Sequence, residues 1–316
     1  MSALAQTASA LGSPRLGFHL LVFDELLQHC VDVGGPFPSE YAELTQAIHR
    51  LGDDVREGLI APSALLAYVQ AVTRRAFEGT MQAEALAQKY GYNGDFEIID
   101  HIYTQKIHPD PGLRAWDLYF HAQAAPNAVR NRKAYFQRLM QAHIAVNSGP
   151  EPLSVLNIAS GPARDLCEFF QNYPDAAVEV DCVDVDARAI AYAQTLCAPW
   201  TDRIHFHHRN VLRYVPGRSF DLVWSAGLFD YLNERLFVHL LKAMMAVTKK
   251  GGEVVVGNFS DYNPSRDYME LLGNWHLEHR SRETLMRLAA EAGAPSDRIQ
   301  VLWEPEGVNY FLHIQR

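Results

Sequence analysis

The chain has 316 residues, 48% of them hydrophobic and 21% charged, which suits one large or two modest folded domains and excludes a disordered or fibrous protein. Its 28 lysines and arginines stand against 37 aspartates and glutamates, giving a formal charge of −9. That balance offers no footprint for gripping a polyphosphate backbone, so nucleic acid is not an expected partner. In chain order, Met1–Phe23 lacks a basic start, and His19 and then Asp24 interrupt its short apolar run, which argues against a secretory leader. No run of ~20 apolar residues follows, so no membrane span is expected. From Leu16 to about His143 apolar residues recur at helical spacing, as in Leu20, Phe23, Leu26, Leu27 or Leu65, Leu66, Val69, Val72, Phe77. Breaks fall at Gly34-Gly35-Pro36, at Gly91 to Gly94 and at His108 to Gly112, with Ser39 and Ser63 as expected helix caps. The Asn147 to Pro152 stretch reads as a boundary, giving a helical cap or substrate domain over 1–148 and a second domain over 149–316.

Beyond the boundary, short β-rich runs alternate with helical segments: SVLNIAS, VEVDCVD, IHFHHRN, FDLVWSA, EVVVGNF, IQVLWEP and VNYFLHIQ. The alternation predicts a mostly parallel sheet covered on both faces. Only a few residues around Gly307 separate the last two runs, so they are expected to close the sheet as an antiparallel hairpin. The predicted class is therefore α/β: a seven-stranded Rossmann-like sheet of methyltransferase type, preceded by an all-α region.

Four candidate ligand positions follow the strand ends. Asn157-Ile158-Ala159-Ser160-Gly161-Pro162-Ala163 is a tight turn of small residues before a helix, letting a cofactor lie against the main chain near free helix amides. Asp184, followed by Val185, lies 23 residues after Gly161, near the ~20-residue offset of a ribose-binding carboxylate; Asp186 reads as the cap of the next helix. Asn210 offers an amide to an adenine edge and Val211 a cover for its face, although a turn asparagine explains the pair as well. Ser225, Ala226 and Gly227 leave room for a ligand, and Phe229 and Tyr231 serve either as its walls or as ordinary packing. An open parallel sheet binds ligands at such carboxyl ends.

The domain from about residue 150 resembles the class I S-adenosylmethionine-dependent methyltransferases, whose first motif carries an acid and three glycines where this chain has Asn157, Ala159, Gly161 and Ala163. A closer resemblance covers roughly residues 90 to 316. The strings YGYNGDFEIIDHIY, NAVRNRKAYF, SGPARD, FDLVWSAGLFDYL, GNFSDYNPSRDYME and NWHLEHRS are similar to the bacterial methyltransferases of 3-hydroxypalmitic acid methyl ester biosynthesis. They are also similar to azetidine-2-carboxylate synthases, which consume S-adenosylmethionine without transferring its methyl group. The resemblance implies S-adenosylmethionine as cosubstrate. Asp95 would then pair its ammonium and one of Arg130 and Arg132 its carboxylate. Residues two apart do not share a helix face, and the expectation is Arg130 at the cofactor with Arg132 in a surface or interdomain salt bridge. Tyr92, Tyr103 and Asn131 would close over the sulfonium, with Tyr231 as a further wall.

Two reactions stay open at this level. The first is methyl transfer to a carboxylate or hydroxyl of a small signal or secondary metabolite, with His276 or His279 as base and Arg280 or Arg282 holding an acidic substrate. The second is ring closure of the cosubstrate alone, with Asn127 among the wall residues. A noncatalytic cofactor sensor is a third class. Cys30, Cys167, Cys182 and Cys197 form no C-x-x-C pair and read as reduced core thiols of a cytoplasmic protein. His205, His207 and His208 lack a completing ligand set, so no metal is expected. Residues 1–89 fit a lid or a homodimer surface.

Overall fold

The computed structural model describes residues 14–316 apart from Arg75 and Ser148. The leader reading of residues 1–13, and Ser148 of the expected linker, lie outside the described residues. Contacts divide the chain differently from the expected 148/149 boundary. One unit is the chain up to Pro126 together with Pro264–His276, and the other is Asn127–Asn263 with Leu277–Arg316.

The first unit is helical: α1 (Pro14–Val33), α2 (Tyr41–Arg56), α3 (Pro62–Thr73), α4 (Met81–Ala87), α5 (Phe96–Tyr103) and α6 (Pro111–Ala122). In α1, Leu16, Leu20, Phe23, Leu27 and Cys30 are buried, three or four apart and hence on one stripe. Neither expected serine caps its helix. Glu40 precedes α2 and its carboxylate accepts from the Phe37 amide at 2.7 Å, while α3 starts on Pro62, leaving Ser63 inside the helix. Proline's fixed φ suits that first position. The distant segment Pro264–His276 joins this unit through side chains that sequence proximity does not reveal. Asp267 accepts from His49 at 2.7 Å and Arg56 at 2.5 Å, Gln82 donates to the Leu272 carbonyl at 2.7 Å, and Tyr268 meets Tyr119 edge-on at 5.4 Å.

The second unit holds β1 (Leu153–Ile158), β2 (Val178–Asp184), β3 (Ile204–His208), β4 (Phe220–Ser225), β5 (Thr248–Phe259), β6 (Ile299–Trp303) and β7 (Asn309–Gln315), in the order β3-β2-β1-β4-β5-β7-β6. The first five strands are parallel, and β7 runs antiparallel to both β5 and β6. All seven expected strands form, and the terminal hairpin inserts β7 beside β5. Every residue of β1 is buried, as a strand covered on both faces requires.

Alternation splits the sheet residues between two cores. On one face α7 (Ala124–Val146), which belongs to this unit from Asn127 onward, buries Phe136 and Met140 among Val155, Phe169, Trp224 and Phe311. Burying one such phenylalanine is worth about 1.5–3 kcal/mol, which is why α7 follows the sheet rather than the preceding helices. On the other face, Phe237, Leu241 and Met244 of α10 (Glu234–Ala246) and Leu285 and Leu288 of α11 (Arg282–Glu291) pack on Val223, Val254 and Leu312. The remaining α-helices among the described residues are α8 (Arg164–Asn172) and α9 (Ala187–Leu196). Cys30, Cys167, Cys182 and Cys197 are buried and unbridged. Among the described residues no helix is long and apolar enough to cross a membrane.

Candidate cofactor site

β1 and β4 are neighbours although two strands separate them in sequence, so the strand order reverses between them, where an open α/β sheet offers its ligand crevice. The turn leaving β1 is left-handed at alternate residues: φ is 53° at Ala159, 53° at Gly161 and 52° at Ala163. These are the positions where the resembled methyltransferases carry glycine. The two alanines hold the conformation at a cost of roughly 1 kcal/mol each. The departure from the motif therefore puts side chains at positions where this backbone is left-handed.

That path turns the Gly161 amide toward β2, where it donates to Asp184 Oδ2 at 2.9 Å; the Asp186 amide donates to Oδ1 at 2.9 Å. Asp184 is thus oriented by two main-chain donors, and each oxygen retains a lone pair for a hydroxyl. Burial, reinforced by Asp186, raises its carboxyl above the ordinary range despite those amides. Asp186 caps α9 as expected, accepting from the Arg188 amide at 2.8 Å. Val185 is exposed beside it. Nearby, Asn157 Nδ2 is buried without a hydrogen-bond partner among the described residues, and Ser160 Oγ is buried with the Cys182 thiol beside it. Leaving such an amide unpaired costs about 1–3 kcal/mol, so a turn carrying it suits a polar ligand. Asn210 is exposed, and its Oδ1 accepts from the Leu212 amide at 2.9 Å, leaving its NH₂ as the group able to meet an adenine edge; Val211 packs on the core.

At the end of β4 the structure departs from the sequence reading. Ser225 is fully buried and donates to the Ile158 carbonyl at 3.0 Å, so its hydroxyl ties β4 to β1. Phe229 is packed edge-on against Phe237 at 4.7 Å, whereas Tyr231 is 41% exposed. Arg132, expected in a surface or interdomain salt bridge, is only 6% exposed. Its Nη1 donates to the Ala226 carbonyl at 2.9 Å, and its guanidinium lies 3.4 Å from where a Cβ on Gly227 would stand. The cause is helical register. Residues 132, 136 and 140 share a stripe, and Phe136 and Met140 are fixed in the core, so Arg132 is carried to the end of the sheet.

Two carboxylates share that arginine's field. Burial pushes both Asp165 and Asp230 up to about 6, against the amides of Leu166 and Phe259 and the charge of Arg132. Arg130 is half-buried and donates to Asn127, with burial lowering its pKa. Asn131 is committed elsewhere: Nδ2 donates to Glu304 at 2.8 Å, and Glu304 also accepts the amides of Glu306, Val308 and Asn309, fixing the β6–β7 turn. Arg280, a candidate for an acidic substrate, is instead a buried brace, donating to the Phe229 carbonyl at 2.9 Å, to Asn258 Oδ1 at 2.6 Å and to the Leu232 carbonyl.

The remaining candidates belong to the helical unit or have local partners. Asp95 caps α5, its Oδ1 accepting the Glu97 and Ile98 amides at 2.9 and 3.0 Å. Tyr92 and His276 are exposed and Tyr103 is half-buried. His279 is engaged by the Leu277 carbonyl and Asn263, both at 3.1 Å. His207 does have a carboxylate, Asp181 at 2.6 Å, which also takes Arg218; among the described residues no group of three metal-ligating side chains is gathered. Sequence reasoning missed Asp165 and Asp230, and the stripe through Arg132, Phe136 and Met140 was the signal that would have placed the arginine.

A family model described as a methyltransferase domain matches residues 155–252. No curated protein sequence matches the chain. Among solved structures, a possible exported protein from Bordetella parapertussis is similar at 16% identity and a TM-score of 0.58, covering 82% of this chain and 98% of its own. The magnesium protoporphyrin IX methyltransferase of Synechocystis PCC 6803 with bound S-adenosylhomocysteine gives 9% identity and a TM-score of 0.49, over 74% and 97% of the two chains. The sheet unit thus holds a segment, residues 155–252, that is similar to a methyltransferase domain, on a Rossmann-like sheet.

Proposed function

We propose that the sheet unit binds S-adenosylmethionine and that the protein transfers its methyl group to a carboxylate or hydroxyl of a small-molecule acceptor. The observation that carries this reading is the Asp184 carboxylate, fixed by the Gly161 amide at 2.9 Å inside the segment that matches the methyltransferase domain. Asp184 accepts the ribose hydroxyls, Asn210 reads the adenine edge, and the left-handed turn brings the main chain close beside them. Arg132, in place of Arg130, offers the forked donors for the amino-acid carboxylate. The bound sulfonium supplies an already activated methyl group, so the protein's task is to position the acceptor in line and exclude water. A carboxylate acceptor needs no base for this step.

The acceptor class rests on the resemblance of residues 90–316 to the methyl-ester-forming enzymes, and the domain match favours methyl transfer over ring closure. Asp184→Ala is expected to weaken S-adenosylhomocysteine binding at least about tenfold, the loss of two hydrogen bonds to a charged acceptor, as read by calorimetry. Unchanged affinity would remove the site. Incubation with labelled S-adenosylmethionine and a panel of hydroxy and carboxylic acids is expected to give labelled products only with an acceptor; methylthioadenosine released without one would establish ring closure instead.

A further inference from the structure

Away from the β1–β4 crevice, the loop after β5, the start of α11 and the β6–β7 hairpin enclose a cavity of roughly 430 Å³ open to solvent. Three aromatic side chains line it. Trp303 is 56% exposed and Tyr262 is 63% exposed, and the Trp303 and Tyr310 rings stand 6.4 Å apart at 63°, two walls of a corner. Tyr310 is half-buried against the core and stands opposite Trp303 across the β6–β7 ladder, so Trp303 and Tyr262 are the exposed rings of this concavity. The loop carrying them is braced, since Ser260 Oγ lies 2.7 Å from the carbonyls of both Tyr262 and Gly307 and shares its one proton between them, and the Asp261 amide bonds the Arg280 carbonyl at 3.2 Å.

Charge decides what such a corner takes. Asp261 and Glu283 set two carboxylates on the lining against one guanidinium, Arg282. Among the described residues no side chain pairs with the Asp261 carboxylate. Glu283 is held below the ordinary carboxylate range by its own amide and by Ser281, so it stays ionised. The Tyr310 hydroxyl is raised by burial and then by Asp261 and Glu283, with Arg282 opposing them.

We infer that this corner is a second ligand site, one that recognises an alkylammonium group by the faces of Trp303, Tyr262 and Tyr310 and the carboxylates of Asp261 and Glu283. Aromatic faces attract a cation through their quadrupole, and a quaternary ammonium, weakly hydrated, gains most. The inference does not depend on the methyl-transfer reading, because none of these residues holds the cosubstrate there.

The test uses choline as probe on the full chain, followed by saturation-transfer NMR of its methyl protons, with 3,3-dimethylbutan-1-ol as the neutral isostere and benzoate as an anionic aromatic. Saturable choline binding is expected, with the alcohol and benzoate silent. Trp303→Ala and Asp261→Asn, both at exposed positions, should each weaken choline by about threefold to tenfold, and Arg282→Gln should strengthen it. Thermal melting confirms that the variants fold. Absence of saturable choline binding, or its persistence unchanged in Trp303→Ala, overturns the proposal. Equal binding of the alcohol would make the corner a plain apolar pocket, and preferential binding of benzoate would assign it to Arg282; either result also overturns it.

Discussion

The sheet unit contains two buried clusters of charge that solve the same problem in opposite ways. In one, Glu253 accepts from His143 Nε2 and His313 Nδ1, both at 2.8 Å, and His313 Nε2 meets the Tyr135 hydroxyl at 2.6 Å. Burial alone would raise the Glu253 carboxyl, but the two histidines outweigh it and hold it down to about 2. In the other, Asp165 and Asp230 lie in the field of Arg132 and are still raised to about 6 by burial. The first cluster is fully bonded and fastens α7 to β5 and β7. The second keeps its carboxylates under-compensated beside an arginine at the switch point of the sheet. In the second, burial outweighs the cations present, Arg132 and Lys133 at Asp165 and Arg132 and Arg280 at Asp230, and carboxyls raised in this way make candidates for binding.

The largest expected effect comes from breaking the balanced cluster. Glu253→Gln is expected to lose on the order of 3 kcal/mol of unfolding stability at pH 7, measured by chemical denaturation. Because the folded pKa lies below the unfolded one, the wild type should retain this contribution above about pH 4.5 and lose it as the pH falls toward about 2. A variant with wild-type stability and the same acid limb would erase the contrast.

Arg132→Gln tests the other cluster. It is expected to weaken S-adenosylhomocysteine binding by about tenfold to a hundredfold, the range of a charge-assisted pair. Arg130→Gln should change it less than about threefold, since in this reading Arg132 holds the carboxylate. The reverse ranking would return the carboxylate to Arg130.

A smaller effect should have the opposite sign from that at Glu253. Asp230 has its folded pKa raised above the unfolded value of 3.8, so its ionisation lowers stability as the pH rises from about 4 through about 6. Asp230→Asn keeps an acceptor for the Phe259 amide and is expected to flatten that limb, gaining on the order of 1 kcal/mol at pH 7.5. An unaltered pH profile would show that Asp230 is not under-compensated. Smallest is Ala159→Gly, which relieves a left-handed alanine and should stabilise by no more than about 1 kcal/mol.

Much of this was legible before the fold was known, and the reason differs by residue. The Gly161 turn, Asp184 and the Asp186 cap depend on partners within a few residues or on a fixed offset along one βαβ unit, so their pattern is written in the chain. Asn131 was read as part of the cofactor lid because its partner, Glu304, lies 173 residues away. Arg280 looked like a substrate anchor, since nothing local shows the Phe229 and Leu232 carbonyls converging on it.

By itself, then, the sequence determined seven strands, their alternation with helices, the reversed hairpin at the end and the turn that presents Asp184, because periodicity and turn chemistry act over short separations. Only the tertiary structure decided that α7 belongs with the sheet, that Pro264–His276 belongs with the helices, and that Arg132 reaches the end of β4 with Asp165 and Asp230 around it. Those outcomes depend on which apolar stripe is buried and against what, and burial is a property of the whole packed chain.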